Sequence, residues 1–326
     1  MSILSFLLGT ESRPKNHRIT ETSSDVTFDD SFLYASSMDY FGFYKISNSK
    51  EWVISWADFD KKKHVGGYRE SGYGRFILYN KIKDKIVMNG ELQRPNHGHV
   101  ADTGVFSIED WGFGPSLKGT FYVYSPDGEI VIEKNFAANI YNSAVSLNGR
   151  FAVCQTCNAK SDDGNKFTAF DISAGQELFS VTPLTGWADQ YQFDEECGQI
   201  VVVHNRIGKF RYTLDGTFLD EKKFENDKLV SGDFVAILMT VEKILKEKAP
   251  SHEELNNLLS AISHAKSLQT GNSNGWDAIA FKLEGITLEK LGQYEDAGRA
   301  FKKALTLNPK IRVAKRLEVI QKKLTS

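Results

Sequence analysis

The sequence predicts a multidomain β + α protein: a body of recurring antiparallel sheets followed by an α-helical tail. Three observations carry that expectation. Up to about residue 225, short runs rich in aromatic and β-branched residues alternate with Gly, Asn and Asp turns. Those runs recur at spacings of 43 to 46 residues. From about residue 229 the apolar positions change to the 3.6-residue period of a helix.

The chain has 326 residues, long enough for two domains, and 41% hydrophobic with 25% charged residues is ordinary for a folded protein. The expected division is an N-terminal segment 1–18, a β domain 19–227 and a helical domain 228–326. The net charge of −2 argues against a generally basic nucleic-acid binder. The charge is uneven: residues 228–326 carry 16 Lys+Arg against 11 Asp+Glu, and the remainder carries 24 against 31. Three cysteines, an odd and low count, favour a reducing, cytoplasmic setting over a disulfide framework. The start, Met1 to Gly9, is apolar but lacks a positive n-region and a small-x-small cleavage site, so it is read as a segment docked on the protein's own surface and not as a signal peptide. No run approaches the ~20 apolar residues that span a bilayer.

Within the β body, Phe76-Ile77-Leu78-Tyr79, Phe121-Tyr122-Val123-Tyr124 and Ile200-Val201-Val202-Val203 read as strands. Asp127-Gly128, Asn148-Gly149 and Asp215-Gly216 supply the positive φ of tight turns. The aromatic strands led by Phe76, Phe121, Phe167 and Phe210 lie 45, 46 and 43 residues apart. Each is followed by a turn and a second strand, over 85–92, 129–136, 177–181 and 217–222. An upstream hairpin recurs too, at Tyr44 to Trp56, Ala144 to Cys154 and Tyr191 to Val203.

Four short strands per 43–46 residues is the pattern of β-propeller blades. It resembles WD-repeat-like propellers in general, although the Gly-His and Trp-Asp markers of that family are absent at the expected places. Four units are expected, at about 40–92, 97–136, 140–181 and 188–222, with residues 19–39 giving extra strands of a fifth blade or a closure. That makes a propeller-like domain of four to five blades. An incomplete propeller or a curved meander is the alternative.

In the tail, Phe234, Ile237, Leu238, Val241, Ile244 and Leu245 form one apolar stripe. Ser251 with Glu254 forms a capping box that opens the next helix, faced by Leu255, Leu258, Leu259 and Ile262. A Gly/Asn/Ser-rich loop spans 269–275, and helices are expected over 276–291, 294–307 and 311–324. The charged stretch 223–232 is the expected boundary between the two parts.

Leu291-Gly292-Gln293-Tyr294-Glu295-Asp296-Ala297, then Ala300-Phe301, Ala304 and Asn308-Pro309, place small residues at helical spacing between a Gly turn and a Pro stop. With Phe281, Gly285 and Leu288 on the preceding helix, the order resembles the 34-residue tetratricopeptide repeat (TPR). Glu284, where an apolar residue is common, and Leu288, in place of Tyr, depart from that pattern. The helices over 233–268 fit it poorly. The resemblance implies a fold of stacked helical hairpins, a protein partner, and a groove lined by the first helix of each pair, here by Lys282, Ile286 and Glu289. The last helix is expected to cap the array, with Ile311, Ala314, Leu317, Ile320 and Leu324 inward.

Catalytic and metal signatures are sparse. Cys154-x-x-Cys157 lacks the second pair of a zinc knuckle, and a three-residue offset in a strand separates the side chains. His97 and His99 share one strand face and, with Asp102 or Asp110, form the candidate set for a metal or an acid–base site. Ser161 to Asn165 lacks the spacing of a calcium loop. Lys61-Lys62-Lys63-His64 reads as a solvated loop, and Trp111 and Trp187 sit beside turns. The expectation is therefore a non-enzymatic protein-interaction scaffold without catalytic residues, metal ligands or cofactor, binding a protein partner or a second copy of itself, with no nucleic acid. The alternatives are a hydrolase or lyase, metal-dependent or not, with its site in the β domain, and an obligate subunit of a larger assembly.

Overall fold

The computed structural model describes residues 15–18, 25–114, 117–247, 249–268 and 275–325. The start, Met1 to Gly9, expected to dock on the protein's own surface, and most of the 269–275 loop lie outside the described residues. The chain divides into two compact units, Met1–Val201 with Tyr212–Phe218, and Val202–Arg211 with Leu219–Ser326.

Antiparallel sheets follow one another along the chain. The first holds β1 (Lys15–Arg18), β2 (Val26–Phe28), β3 (Phe32–Ala35), β4 (Tyr40–Ile46), β5 (Trp52–Ala57), β6 (Gly74–Asn80) and β7 (Lys85–Leu92), in the order β1-β7-β6-β5-β4-β3-β2. The second is a meander of β8 (Pro95–Val100), β9 (Phe106–Asp110), β10 (Gly119–Tyr124) and β11 (Ile130–Phe136). The third is a meander of β12 (Ile140–Val145), β13 (Phe151–Thr156), β14 (Phe167–Asp171) and β15 (Gln176–Val181). The fourth has three strands, β16 (Gln190–Asp194), β17 (Gln199–His204) and β18 (Gly208–Thr213). The turn glycines Gly128, Gly149 and Gly216 all take positive φ, as their Asp-Gly and Asn-Gly pairs predict.

The recurring aromatic strands β6, β10 and β14 are buried in the cores between sheets. Ile54, Trp56, Phe76 and Leu78 of the first sheet join Phe106, Ile108, Tyr122 and Tyr124 of the second in one apolar cluster. Phe121, Val123 and Phe136 join Ile140, Ala152, Cys154 and Phe170 in the next. Beyond it the Phe167 ring stacks 5.7 Å from Tyr191 and meets Tyr212 edge-on at 5.4 Å.

Two parts of the β body qualify the sequence expectation. The extra strands expected over 19–39 form at 26–35, and they join the edge of the first sheet. That sheet curls: the Phe28 ring of β2 lies 6.0 Å from Tyr79 of β6, although three strands separate them in the sheet order. The curl encloses Leu33, Ala35, Tyr40, Val53 and Ile77. The second difference is the strand expected over 217–222. Only a single bridge forms, Tyr212 with Phe218, and then α1 (Glu221–Leu229) begins. The Asp220 carboxylate accepts the Arg211 backbone N–H at 2.8 Å and grips its guanidinium at 2.6 and 2.9 Å. A side chain thereby takes a place that a fourth strand would fill. The charged run Glu221-Lys222-Lys223, without β-branched residues, continues as helix.

The helical region holds α1, α2 (Phe234–Glu247), α3 (His252–Ser267), α4 (Trp276–Lys290), α5 (Tyr294–Leu307) and α6 (Ala314–Thr325). The Ser251–Glu254 capping box forms as expected at α3. Between α4 and α5 size complementarity sets the approach. Phe301 is 0% exposed, and a Cβ built on Gly285 would lie 2.5 Å from its ring. Ala297 and Ala304 flank it in the same core, with Leu288, Val313 and Ile320. The final helix starts three residues later than expected. Val313, just before it, is buried, whereas Ala314 and Leu324 are exposed. Val313 thus takes the inward place expected of Ala314, while Ile311, Leu317 and Ile320 keep theirs.

Candidate functional site

Two places gather polar side chains on a shaped surface. The first is the face of α4 that carries Lys282, Ile286 and Glu289. None of the three is fully exposed. Lys282 Nζ lies 3.3 Å from Glu242 on α2, whose carboxylate also takes Lys246 at 3.1 Å. Burial works to raise the Glu242 carboxyl, but hydrogen bonds from Lys246 and Lys282 outweigh it and hold the group below its usual range. Glu289 pairs with Arg316 on α6 at 2.6 Å. The two ion pairs therefore tie α2, α4 and α6 along one surface. Met239 lies one turn from Glu242 and Val319 one turn from Arg316, on the same rows. They are 59% and 49% exposed.

Ile286, expected to line the groove, is partly buried. It packs against both helical cores, that of α2, α3 and α4 and that of α5 and α6. Its side chain holds the helix stack together, so a charge at 286 is a packing lesion and does not probe the surface. The departure at Glu284 has a local explanation: its carboxylate meets Lys266 of α3 at 2.7 Å, and Lys266 also lies 4.7 Å over the Phe281 ring.

The second place is a polar cluster where β8 meets neighbouring strands. His97 and His99 share a face, with ring centroids 4.8 Å apart. The carboxylates named from the sequence do not join them. Asp102 accepts the Ser49 backbone N–H at 2.6 Å. Asp110 accepts those of Gln93, Arg94 and Gly112, binding the turns at the strand ends. Burial raises its pKa, and those hydrogen bonds oppose the rise. Glu109, which sequence reasoning missed, is the carboxylate that faces the imidazoles: it is 3.5 Å from His97 Nδ1 and accepts Ser143 Oγ at 2.7 Å. Its alternation with Ser107 on β9, opposite His97 and His99, was the available signal. Among the described residues no group of three or more His, Cys, Asp or Glu is disposed to hold a metal ion.

The remaining candidates are structural in their contacts. Cys154 is buried in the core with its thiol pushed well up by desolvation, and Cys157 is raised by the same cause. Asp60 accepts the N–H groups of Lys62, Lys63 and Tyr73, which organises the basic loop. Trp187 donates its indole N–H to Thr156 O at 3.1 Å and stacks 5.2 Å from Tyr141, both rings partly exposed. Among the described residues no helix is long and apolar enough to cross a membrane.

No family model matches the chain. No curated protein matches it either. Among solved structures, a chain of the "Crystal Structure of Mitotic Checkpoint Complex" aligns over 57% of this chain with 8% identity and a TM-score of 0.37. This chain spans 58% of the length of that one. The "computationally designed Ika4 protein" aligns over 53% of this chain and 86% of its own, with 14% identity and a TM-score of 0.33.

Proposed function

We propose that this protein is a non-enzymatic scaffold that binds a protein partner through its helical tail. In this reading the sheets are blades of an open, propeller-like body. Its successive antiparallel sheets and the apolar cores between them support that. The pairs α2–α3 and α4–α5 are TPR-like hairpins capped by α6, and the tight seat of Phe301 against Gly285 supports that. A reducing, cytoplasmic setting suits three thiols that form no disulfide. The partner is a protein or a second copy of the chain, and nucleic acid is not expected.

The observation that carries the proposal is the shared surface of α2, α4 and α6. Alternate helices present one row of charged and exposed apolar side chains: Met239, Glu242, Lys282, Glu289, Arg316 and Val319. Charged pairs give specificity and steering, and exposed apolar groups give contact area.

The test uses the full chain with Met239→Glu and Val319→Glu, both on exposed positions, in quantitative affinity capture beside the unaltered protein. Loss of at least tenfold in the recovered partner, with an unchanged thermal midpoint, is the expected result. Equal recovery from both proteins would remove this surface from the proposal.

A further inference from the structure

We infer that Lys45, His97, His99 and Glu109 form an acid-released latch at the junction of the first three sheets. Strand β8 packs against β4, β5 and β6 of the first sheet and β12 of the third. The His97 ring lies 5.2 Å from the Trp56 indole and 4.8 Å from His99. His99 Nε2 is shut off from solvent without a hydrogen-bond partner. A buried polar atom without a partner is costly, and a buried charge without one is costlier still.

The groups that face the two imidazoles set the direction of the effect. Lys45 of β4 acts on His99, and Glu109 of β9 lies beside His97. Strand β5 brings Trp56, β6 brings apolar side chains, and β12 brings Ser143. Around Glu109 lie Cys154, Cys157 and Tyr191, all held neutral near pH 7 because burial raises them. Lys45 and Glu109 are the opposite charges at this seam, and Glu109 stands 3.5 Å from His97 Nδ1. A proton on His99 would add a second cation facing Lys45. Acid therefore places uncompensated positive charge in a partly exposed seam, and moving β8 from β4 lets water reach it without breaking the hydrogen bonds within any sheet.

The electrostatic surroundings of His99 act in the same direction. Desolvation, then Lys45 and His97, hold the His99 imidazole well below its usual range, and a backbone contact with Ser143 only partly offsets them. A histidine with a depressed folded pKa contributes full stability above its unfolded value, about 6.5, and that contribution is lost as pH falls below it.

Hydrogen exchange on the full chain tests the latch through protection factors at pH 7.5 and 5.5. Amides of β4 and β8 are expected to lose at least tenfold more protection on acidification than those of β14 and β15. His99→Asn, which cannot take the proton, should abolish that difference, and Lys45→Met, which removes the repelling cation, should shrink it. Equal changes in both strand groups, or a full difference persisting in His99→Asn, would overturn the latch. If His99→Asn fails to fold, Lys45→Met decides alone, and an undiminished difference in it overturns the proposal.

Discussion

The α4–α5 hairpin and the polar junction at β8 are held by opposite means. In the hairpin a large side chain fills the room left by a missing one, over sixteen residues of chain: Phe301 lies where any Cβ at Gly285 would be. At β8 the cluster draws Lys45, His97, Glu109 and Ser143 from four strands of three sheets. The first is a packing solution that tolerates no change of volume. The second is an electrostatic one that responds to protons. Their variants should separate accordingly, through stability in one and through pH dependence in the other.

The largest effect belongs to Phe301→Ala. Emptying the hairpin core should cost about 3–5 kcal/mol, the usual loss for a fully buried Phe. It is read as a lowered urea midpoint of the helical far-UV signal. A loss under 1 kcal/mol would mean the hairpin closes around smaller residues and that its fit to Gly285 is incidental.

Asp220→Asn comes next. Its carboxylate binds three Arg211 N–H groups while buried, and hydrogen bonds to a charged group contribute about 1.5–3 kcal/mol in all. The hydrogen bond from Arg211, which exceeds the opposing desolvation, depresses the Asp220 pKa. A depressed carboxylate stabilises fully above its unfolded value, about 3.9, and loses that contribution as pH falls through the folded one. Unfolding midpoints at pH 7 and pH 3 should therefore differ less in the variant than in the native protein. An unchanged difference would show that this residue does not cap the last strand energetically.

Gly285→Ala should destabilise by about 1–3 kcal/mol, as overpacking does, even though Ala favours a helix over Gly by about 1 kcal/mol. Stabilisation instead would show that Phe301 can move away at no cost. Paired with Phe301→Leu, the same substitution should be much milder, because the two volumes compensate.

The difference between the two regions also explains how much could be read from the sequence. Gly285, Ala297, Phe301 and Ala304 lie within one short stretch whose spacing states their contacts directly. The sheets were equally legible, since Phe76, Phe121, Phe167 and Phe210 mark β6, β10, β14 and β18. The carboxylate of the polar junction was not. Asp102 and Asp110 are near His97 and His99 in sequence, but strand alternation turns Glu109 toward the imidazoles and leaves Asp110 to bind backbone. The missing strand at 217–222 was hidden for a similar reason. The Asp220–Arg211 contact that replaces it is a side-chain interaction across a turn, and no periodicity records it. On the α4 face, Lys282 and Glu289 carry the right character, but their ion pairs with Glu242 and Arg316 span 40 and 27 residues.

The smallest effect decides what those ion pairs are for. Lys282 and Glu242 have side chains 26% and 31% exposed, so water screens their attraction. A double-mutant cycle with Lys282→Ala and Glu242→Ala should give a coupling of about 0.2–1 kcal/mol, the range of exposed pairs. At that magnitude the pair can exchange its internal partner for one on a docking protein with little loss, which is what a recognition surface requires. A coupling above about 2 kcal/mol would instead place the pair among partly desolvated, stability-bearing contacts. The charged row on α2, α4 and α6 would then belong with the fixed packing at Phe301, and the exposed Met239 and Val319 would be what remains of the docking face.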